Sequence, residues 1–217
     1  MSLLYAAHVP SGPGPFPTIF ALHGWGANAH DLLGLAPLLH GGEALVLCPQ
    51  GTVAFPVGGG QYGYGWFPLT PGTAPDPAEF KKGAAALREF VTMATGRYPV
   101  DPKRTVVAGF SQGGMMAYEL GLREPARFAG VAGLSSWLPP QLAEELPKLP
   151  EHEGFPVLVT HGTADTVISV ERARESREAL RALGVALMYR EFNIGHAIDA
   201  EVLRVFGNWL KSKPFAG

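Results

Sequence analysis

Residues 105–120, TVVAGFSQGGMMAYEL, change character at one serine, and that change restricts the folds open to the chain. The run up to Phe110 is short, β-branched and apolar, the composition of a strand buried on both faces, whereas the run from Gln112 carries helix formers. Ser111 stands at the joint. Gly109 and Gly113 flank it in a G-x-S-x-G pattern, which marks a sharp strand-to-helix turn that lifts a serine hydroxyl clear of a sheet. Such a turn strains the serine backbone and brings neighbouring main chain close, so side chains two positions to either side would collide. The helix behind Ser111 points unpaired N–H groups and its positive dipole end at a place where negative charge can develop. Five residues of pattern also fit an ordinary turn in a glycine-rich chain; the strand before and the helix after give the pattern its weight.

Around this joint, strands and helices alternate. Residues 3–9 read as an edge strand and residues 18–22 as a central one, which runs into the loop His23-Gly24-Trp25-Gly26 and then a helix over residues 29–39. Residues 44–48 form the next strand. Residues 50–77 read as a long irregular segment in which Tyr62, Tyr64, Trp66 and Phe67 make a packed wall near a binding site. Its Gly58-Gly59-Gly60 cluster is not a phosphate loop, because no Gly-Lys-Ser/Thr follows and no strand feeds it. Asp76 or Pro77 opens a helix to about residue 95, with Phe80, Ala84, Leu87, Phe90, Val91 and Ala94 on one face. Beyond the Ser111 unit come a strand at 128–134, a short helix at 141–146, and a strand at 157–160 that ends in His161-Gly162-Thr163-Ala164-Asp165. A helix at 170–183, a strand at 186–192 leading to Gly195-His196, and an amphipathic helix through Leu210 complete the chain. The alternation predicts an α/β architecture in one domain over residues 1–217: a mostly parallel central sheet, helices on both faces, and working loops at the carboxyl ends of the strands.

Composition removes several classes of function. A chain of 217 residues with 47% hydrophobic content supports one well-buried core. The net charge of −2 comes from 17 basic and 19 acidic residues spread along the chain, so no basic stripe recruits nucleic acid and no tract favours a membrane surface. No apolar stretch approaches transmembrane length and residues 1–10 lack the features of a secretory signal, which makes the cytoplasm the default expectation. Cys48 is the only cysteine and sits in an apolar run, where an inert buried thiol is the expected state. The oligomeric state stays open, a homodimer included.

Ser111, Asp165 and His196 each follow a separate strand, so a parallel sheet brings them to one end. Serine, acid, histidine is also the order expected when a G-x-S-x-G turn belongs to a hydrolase sheet. In that arrangement Ser111 attacks an acyl carbonyl, His196 takes and returns the proton, and Asp165 fixes the imidazole tautomer. His8, His30, His40 and His152 do not follow strands. His23 and His161 do, but each precedes a glycine in a tight loop, where hydrogen bonding to backbone is the commoner use. Asp199 competes with Asp165 as the acid, yet it falls within the last helix and would face away. With no H-E-x-x-H spacing among the His and Asp residues, a hydrolytic metal is not indicated. The oxyanion hole is expected from the N–H of Gln112 and the N–H of Trp25. Residues 135–157 leave room for one short helix and no large cap, so an open acyl groove is expected, lined by Trp66, Phe67, Trp137 and Leu138.

Leu22-His23-Gly24-Trp25-Gly26, Trp66-Phe67, Gly109-Phe110-Ser111-Gln112-Gly113-Gly114, Leu134-Ser135-Ser136-Trp137-Leu138-Pro139, His161-Gly162 with Asp165, and Gly195-His196 occur in order from about Thr18 onward. Together they resemble the phospholipase/carboxylesterase family that includes acyl-protein thioesterases. The resemblance implies an α/β-hydrolase fold, the Ser111/Asp165/His196 triad, an oxyanion hole from Trp25 and Gln112, and cofactor-free hydrolysis of carboxylic or thio esters. The expected substrates are small to medium acyl esters, with thioesters and lysophospholipids in the same class. Ala27 and Pro68 depart from the family pattern, which usually has aspartate at both places, and they bear on substrate preference. Two other functions compete: a non-catalytic binding protein on the same fold, and a serine peptidase, which lacks here any extra segment to select peptides.

Overall fold

The computed structural model describes residues 3–70 and 73–216. Its strands are β1 (Tyr5–His8), β2 (Phe16–Leu22), β3 (Leu45–Pro49), β4 (Val53–Gly58), β5 (Gln61–Gly65), β6 (Val100–Phe110), β7 (Gly130–Leu134), β8 (Pro156–Gly162) and β9 (Ala186–Phe192). Its α-helices are α1 (Pro77–Arg97), α2 (Gln112–Arg123), α3 (Pro140–Glu145), α4 (Val170–Ala182) and α5 (Ala200–Ser212). Seven strands form one sheet in the order β1-β3-β2-β6-β7-β8-β9. β1 runs antiparallel to β3 and the remaining pairings in that sheet are parallel, giving an α/β-hydrolase fold. Every residue of β2, β3 and β7 is buried, which is why their sequences are continuous apolar runs rather than alternating ones.

Helices cover both faces. One core holds Leu87 and Phe90 of α1, Met116 and Leu120 of α2, and Leu180 of α4. The other holds Val202, Phe206, Trp209 and Leu210 of α5. α1 starts where the sequence sets it: the Asp76 carboxylate accepts from the N–H groups of Ala78 and Glu79, both at 2.9 Å, and Pro77 occupies the first helical position, where its missing donor costs nothing.

Two expectations are corrected. The helix expected over residues 29–39 shrinks to a 3₁₀ segment, Leu33–Leu38, because Pro37 removes a backbone donor and no side chain caps the start. The segment expected to be irregular contains the hairpin β4–β5, whose Gly58, Gly59 and Gly60 carry φ of 98°, 59° and 75°. Its strands bury little apolar surface, so no hydrophobic pattern announced them. They are held by docking: the Gly26 N–H donates to the Tyr64 carbonyl and the Tyr64 N–H to the Ala27 carbonyl, both at 2.9 Å. Residues 71–72 of that segment lie outside the described residues. Between β7 and β8 the chain forms only α3 and one 3₁₀ turn, Pro150–His152.

Candidate active site

β6 delivers the chain to Ser111, whose φ of 54° and ψ of −121° lie where residues with a side chain rarely go, at a cost of about 1–3 kcal/mol. Three hydrogen bonds hold it there: the Ser111 N–H donates to the Leu134 carbonyl (2.9 Å), while its own carbonyl accepts from the Gly114 N–H (2.9 Å) and the Ser136 hydroxyl (2.7 Å). The flanking glycines are demanded by packing. A β-carbon on Gly109 would overlap the Gly113 carbonyl, and one on Gly113 would overlap the Leu22 carbonyl.

The ends of β8 and β9 bring Asp165 and His196 together, with His196 Nδ1 2.7 Å from an Asp165 carboxylate oxygen. The other carboxylate oxygen accepts from the N–H groups of Val167 and Ile168 at 2.9 Å. Burial pushes the Asp165 pKa up, but the Ile168 N–H, the His196 ring and the Val167 N–H outweigh it and hold the carboxyl below its ordinary range. A carboxylate can only accept, so His196 carries its proton on Nδ1 and turns the Nε2 lone pair outward. His196 Nε2 has no hydrogen-bond partner among the described residues, and the ring rests on Phe110 at 4.8 Å between centroids. Ser111 and His196 line one open cleft of about 610 Å³, together with Trp25, Gln112, Trp137 and Ile168.

The Gln112 N–H is the first of α2 and has no helical carbonyl to bond. The Trp25 N–H also has no partner among the described residues. The loop that carries Trp25 is fixed from behind by the β4–β5 hairpin and by stacking of the Trp25 ring on Phe55, at 4.1 Å and 15°. The Gln112 side chain ties the same region together, accepting from the Trp66 N–H (2.8 Å) and donating to the Phe67 carbonyl (2.7 Å). Nothing in the sequence pattern singled out that amide as a clamp.

Trp66 and Phe67, expected in the acyl groove, are 1% and 0% exposed, and Leu138 is buried as well. Their large apolar surfaces complete the core, and the Trp66 ring N–H is spent on the His23 carbonyl at 2.9 Å. Trp137 alone of the four lines the cleft, with Leu69, Val167 and Ile168 adding apolar rim. Neither rival histidine lines the Ser111 cleft. His23 Nδ1 bonds the Gly24 carbonyl (2.7 Å) and its Nε2 accepts from the Gly51 N–H (3.0 Å). His161 is buried behind Asp165, its Nε2 2.8 Å from the Ile168 carbonyl and 3.4 Å from the carboxylate. Asp199 is the N-cap of α5, not an interior residue, and accepts from the Val202 N–H at 2.8 Å. Burial pushes the Cys48 thiol up to about 12, which leaves it unreactive.

Residues 10–213 match the family described as Phospholipase/Carboxylesterase. The chain is 34% identical over 105 residues to acyl-protein thioesterase 1 of Gibberella zeae, a match covering 47% of this chain and 45% of the relative. It is 30% identical over 172 residues to a protein of Oryza sativa subsp. japonica named "Probable carboxylesterase", covering 75% and 71%. Among solved structures, the esterase PE8 superposes with a TM-score of 0.83 at 24% identity, covering 98% of this chain and 99% of that one. A carboxylesterase of Bacillus cereus gives 0.77 at 24% identity, covering 91% and 88%. The matched segment thus spans about half the length of the fungal relative, and the structural likeness carries the fold. By the match over residues 10–213, the chain belongs to the phospholipase/carboxylesterase family.

Proposed function

We propose that the protein is a serine esterase in which Ser111 is the nucleophile, His196 the general base and Asp165 the residue that orients and stabilises the imidazolium. The observation that carries this reading is the 2.7 Å His196–Asp165 bond, which leaves the free imidazole nitrogen in the same cleft as the strained Ser111. Ser111 Oγ attacks the ester carbonyl as His196 Nε2 takes its proton. The oxygen that becomes negative is held by the N–H groups of Trp25 and Gln112, each worth about 3 kcal/mol to the transition state. His196 then protonates the departing alcohol or thiol, and a water molecule, deprotonated by the same nitrogen, releases the acid from Ser111. The substrates are small to medium acyl esters, and no cofactor takes part. A fluorophosphonate probe should label Ser111 in the folded protein, with the adduct on its peptide by mass spectrometry. Equal labelling of Ser111→Ala, or none of the folded wild type, overturns the assignment.

A further inference from the structure

A second open recess of about 860 Å³ shares Trp137, Val167 and Ile168 with the Ser111 cleft as walls, and Gln141, Asp165, Ser169 and Arg172 also border it. The Arg172 guanidinium lies over the Trp137 ring at 4.2 Å. It makes no hydrogen bond or ion pair among the described residues, unlike the other arginines of α4. Arg174 pairs with Glu191 at 2.8 Å, and Arg177 and Arg181 pair with Glu178 at 2.7 and 3.2 Å. Glu175, three residues on, forms no ion pair with Arg172 among the described residues, and the carboxylates of Asp165, which also borders this recess, and of Glu171 are committed elsewhere. Asp165 accepts from Val167, Ile168 and His196, and Glu171 lies 3.7 Å from Arg174.

We propose that Arg172 and Trp137 form a subsite that binds an anionic group, a carboxylate or phosphate, on the ester whose carbonyl is placed at Ser111. The proposal rests on the esterase reading and adds a substrate class to it. Stacking on Trp137 holds the plane of the guanidinium and leaves its edge N–H groups free, the geometry that grips a carboxylate or phosphate with two parallel bonds. The half-buried position of Trp137 keeps water from one side of the cation, and the recess shares Trp137, Val167 and Ile168 with the Ser111 cleft. A neutral ester gains nothing from the guanidinium.

Three esters test it: p-nitrophenyl hexanoate, the p-nitrophenyl monoester of adipic acid, and 4-carboxyphenyl hexanoate. The second carries its charge on the acyl side and the third on the alcohol side. Arg172→Gln should lower kcat/KM about tenfold for at least one charged ester, chiefly through KM, while hexanoate changes less than twofold. Arg172→Lys should keep part of the preference, and raised salt should shrink it. Which charged ester responds tells which half of the substrate lies on Trp137. A loss equal for all three esters, no loss for any, or wild-type turnover of the neutral ester alone overturns the subsite and leaves the esterase reading standing. If wild type hydrolyses none of the three, the esterase reading falls as well.

Discussion

On one side of Ser111, the loop after β2 is built of groups that are already spent. Both ring nitrogens of His23 are bonded to backbone, its carbonyl accepts from Trp66, and the Gln112 amide spans Trp66 and Phe67. On the other side, at the ends of β8 and β9, His196 uses one nitrogen on Asp165 and leaves the other toward the cleft, with its side chain 17% exposed. Each histidine follows a parallel strand and neighbours a glycine. The difference is that a ring with both nitrogens bonded to buried backbone can hold a loop but cannot move a proton. The floor beneath the Trp25 loop is therefore a positioning device, and the proton chemistry proposed for this cleft falls to the opposite wall.

The largest expected effect separates the walls by function. Asp165→Asn preserves volume and can still accept from Val167 and Ile168, but its amide presents an N–H to the imidazole and favours the wrong tautomer. It should lower kcat by about 10³ to 10⁴ with little change in Tm. His23→Asn should stay within about tenfold of the wild-type kcat and lose stability instead. Steady-state kinetics and thermal melts of the two variants measure both. If His23→Asn abolished turnover while Asp165→Asn spared it, the two walls would have exchanged roles.

Next in size is a stability contrast between two tryptophans. Trp66 is buried and hydrogen-bonded, so Trp66→Ala should cost about 3–5 kcal/mol by chemical denaturation. Trp137→Ala, at the half-buried rim, should cost less than about 1.5 kcal/mol. Comparable losses would mean that the rim is as much a part of the core as the floor.

That contrast also shows how far the sequence could be read. The gathering of Ser111, Asp165 and His196 was legible because each lies just past a strand, and a parallel sheet must bring such positions to one end. Trp66 and Phe67 were misplaced for a physical reason. An aromatic residue beside a glycine-rich loop has the same local pattern whether it faces a groove or the core, and what decided the matter was the Trp66 ring N–H finding the His23 carbonyl 43 positions away. The β4–β5 hairpin escaped for a related cause: it is fixed by two backbone bonds to Gly26 and Ala27, and a backbone bond leaves no trace in side-chain periodicity. Arg172 gave no signal at all, since a charged helix shows arginines without showing which one lacks a carboxylate.

A smaller effect tests the spent histidine through pH. Burial lowers the His23 pKa below 6.5 against the opposing pull of the Gly24 carbonyl, so the folded protein holds this ring neutral. The unfolded chain takes up the proton at higher pH than the folded one. The contribution of His23 to stability is therefore complete above pH 6.5 and is lost as the pH falls from there through the folded-state value. In melts from pH 8 down to pH 5, wild type should lose more Tm than His23→Asn does. Parallel curves would show that the ring is not held neutral, and the description of the β2 loop as fixed by it would have to be given up.

The smallest effect concerns the wall opposite that loop, where Trp137 lines the Ser111 cleft with Leu69, Val167 and Ile168. An acyl chain laid along apolar rim gains about 0.8 kcal/mol for each methylene removed from water, until the rim ends. Butyl to octanoyl esters should then exceed acetyl esters in kcat/KM, and much longer chains should gain nothing more, because no cap encloses the cleft among the described residues. Trp137→Ala removes part of that rim but none of the groups assigned to proton transfer or to the oxyanion. It should cost several-fold more with the p-nitrophenyl octanoate ester than with the acetate, so the slope of log(kcat/KM) against chain length flattens while the acetate rate stays nearly constant. A uniform loss across chain lengths would instead mean that Trp137 acts on the catalytic groups themselves, and the division between a positioning floor and a substrate-binding rim would fail at this residue.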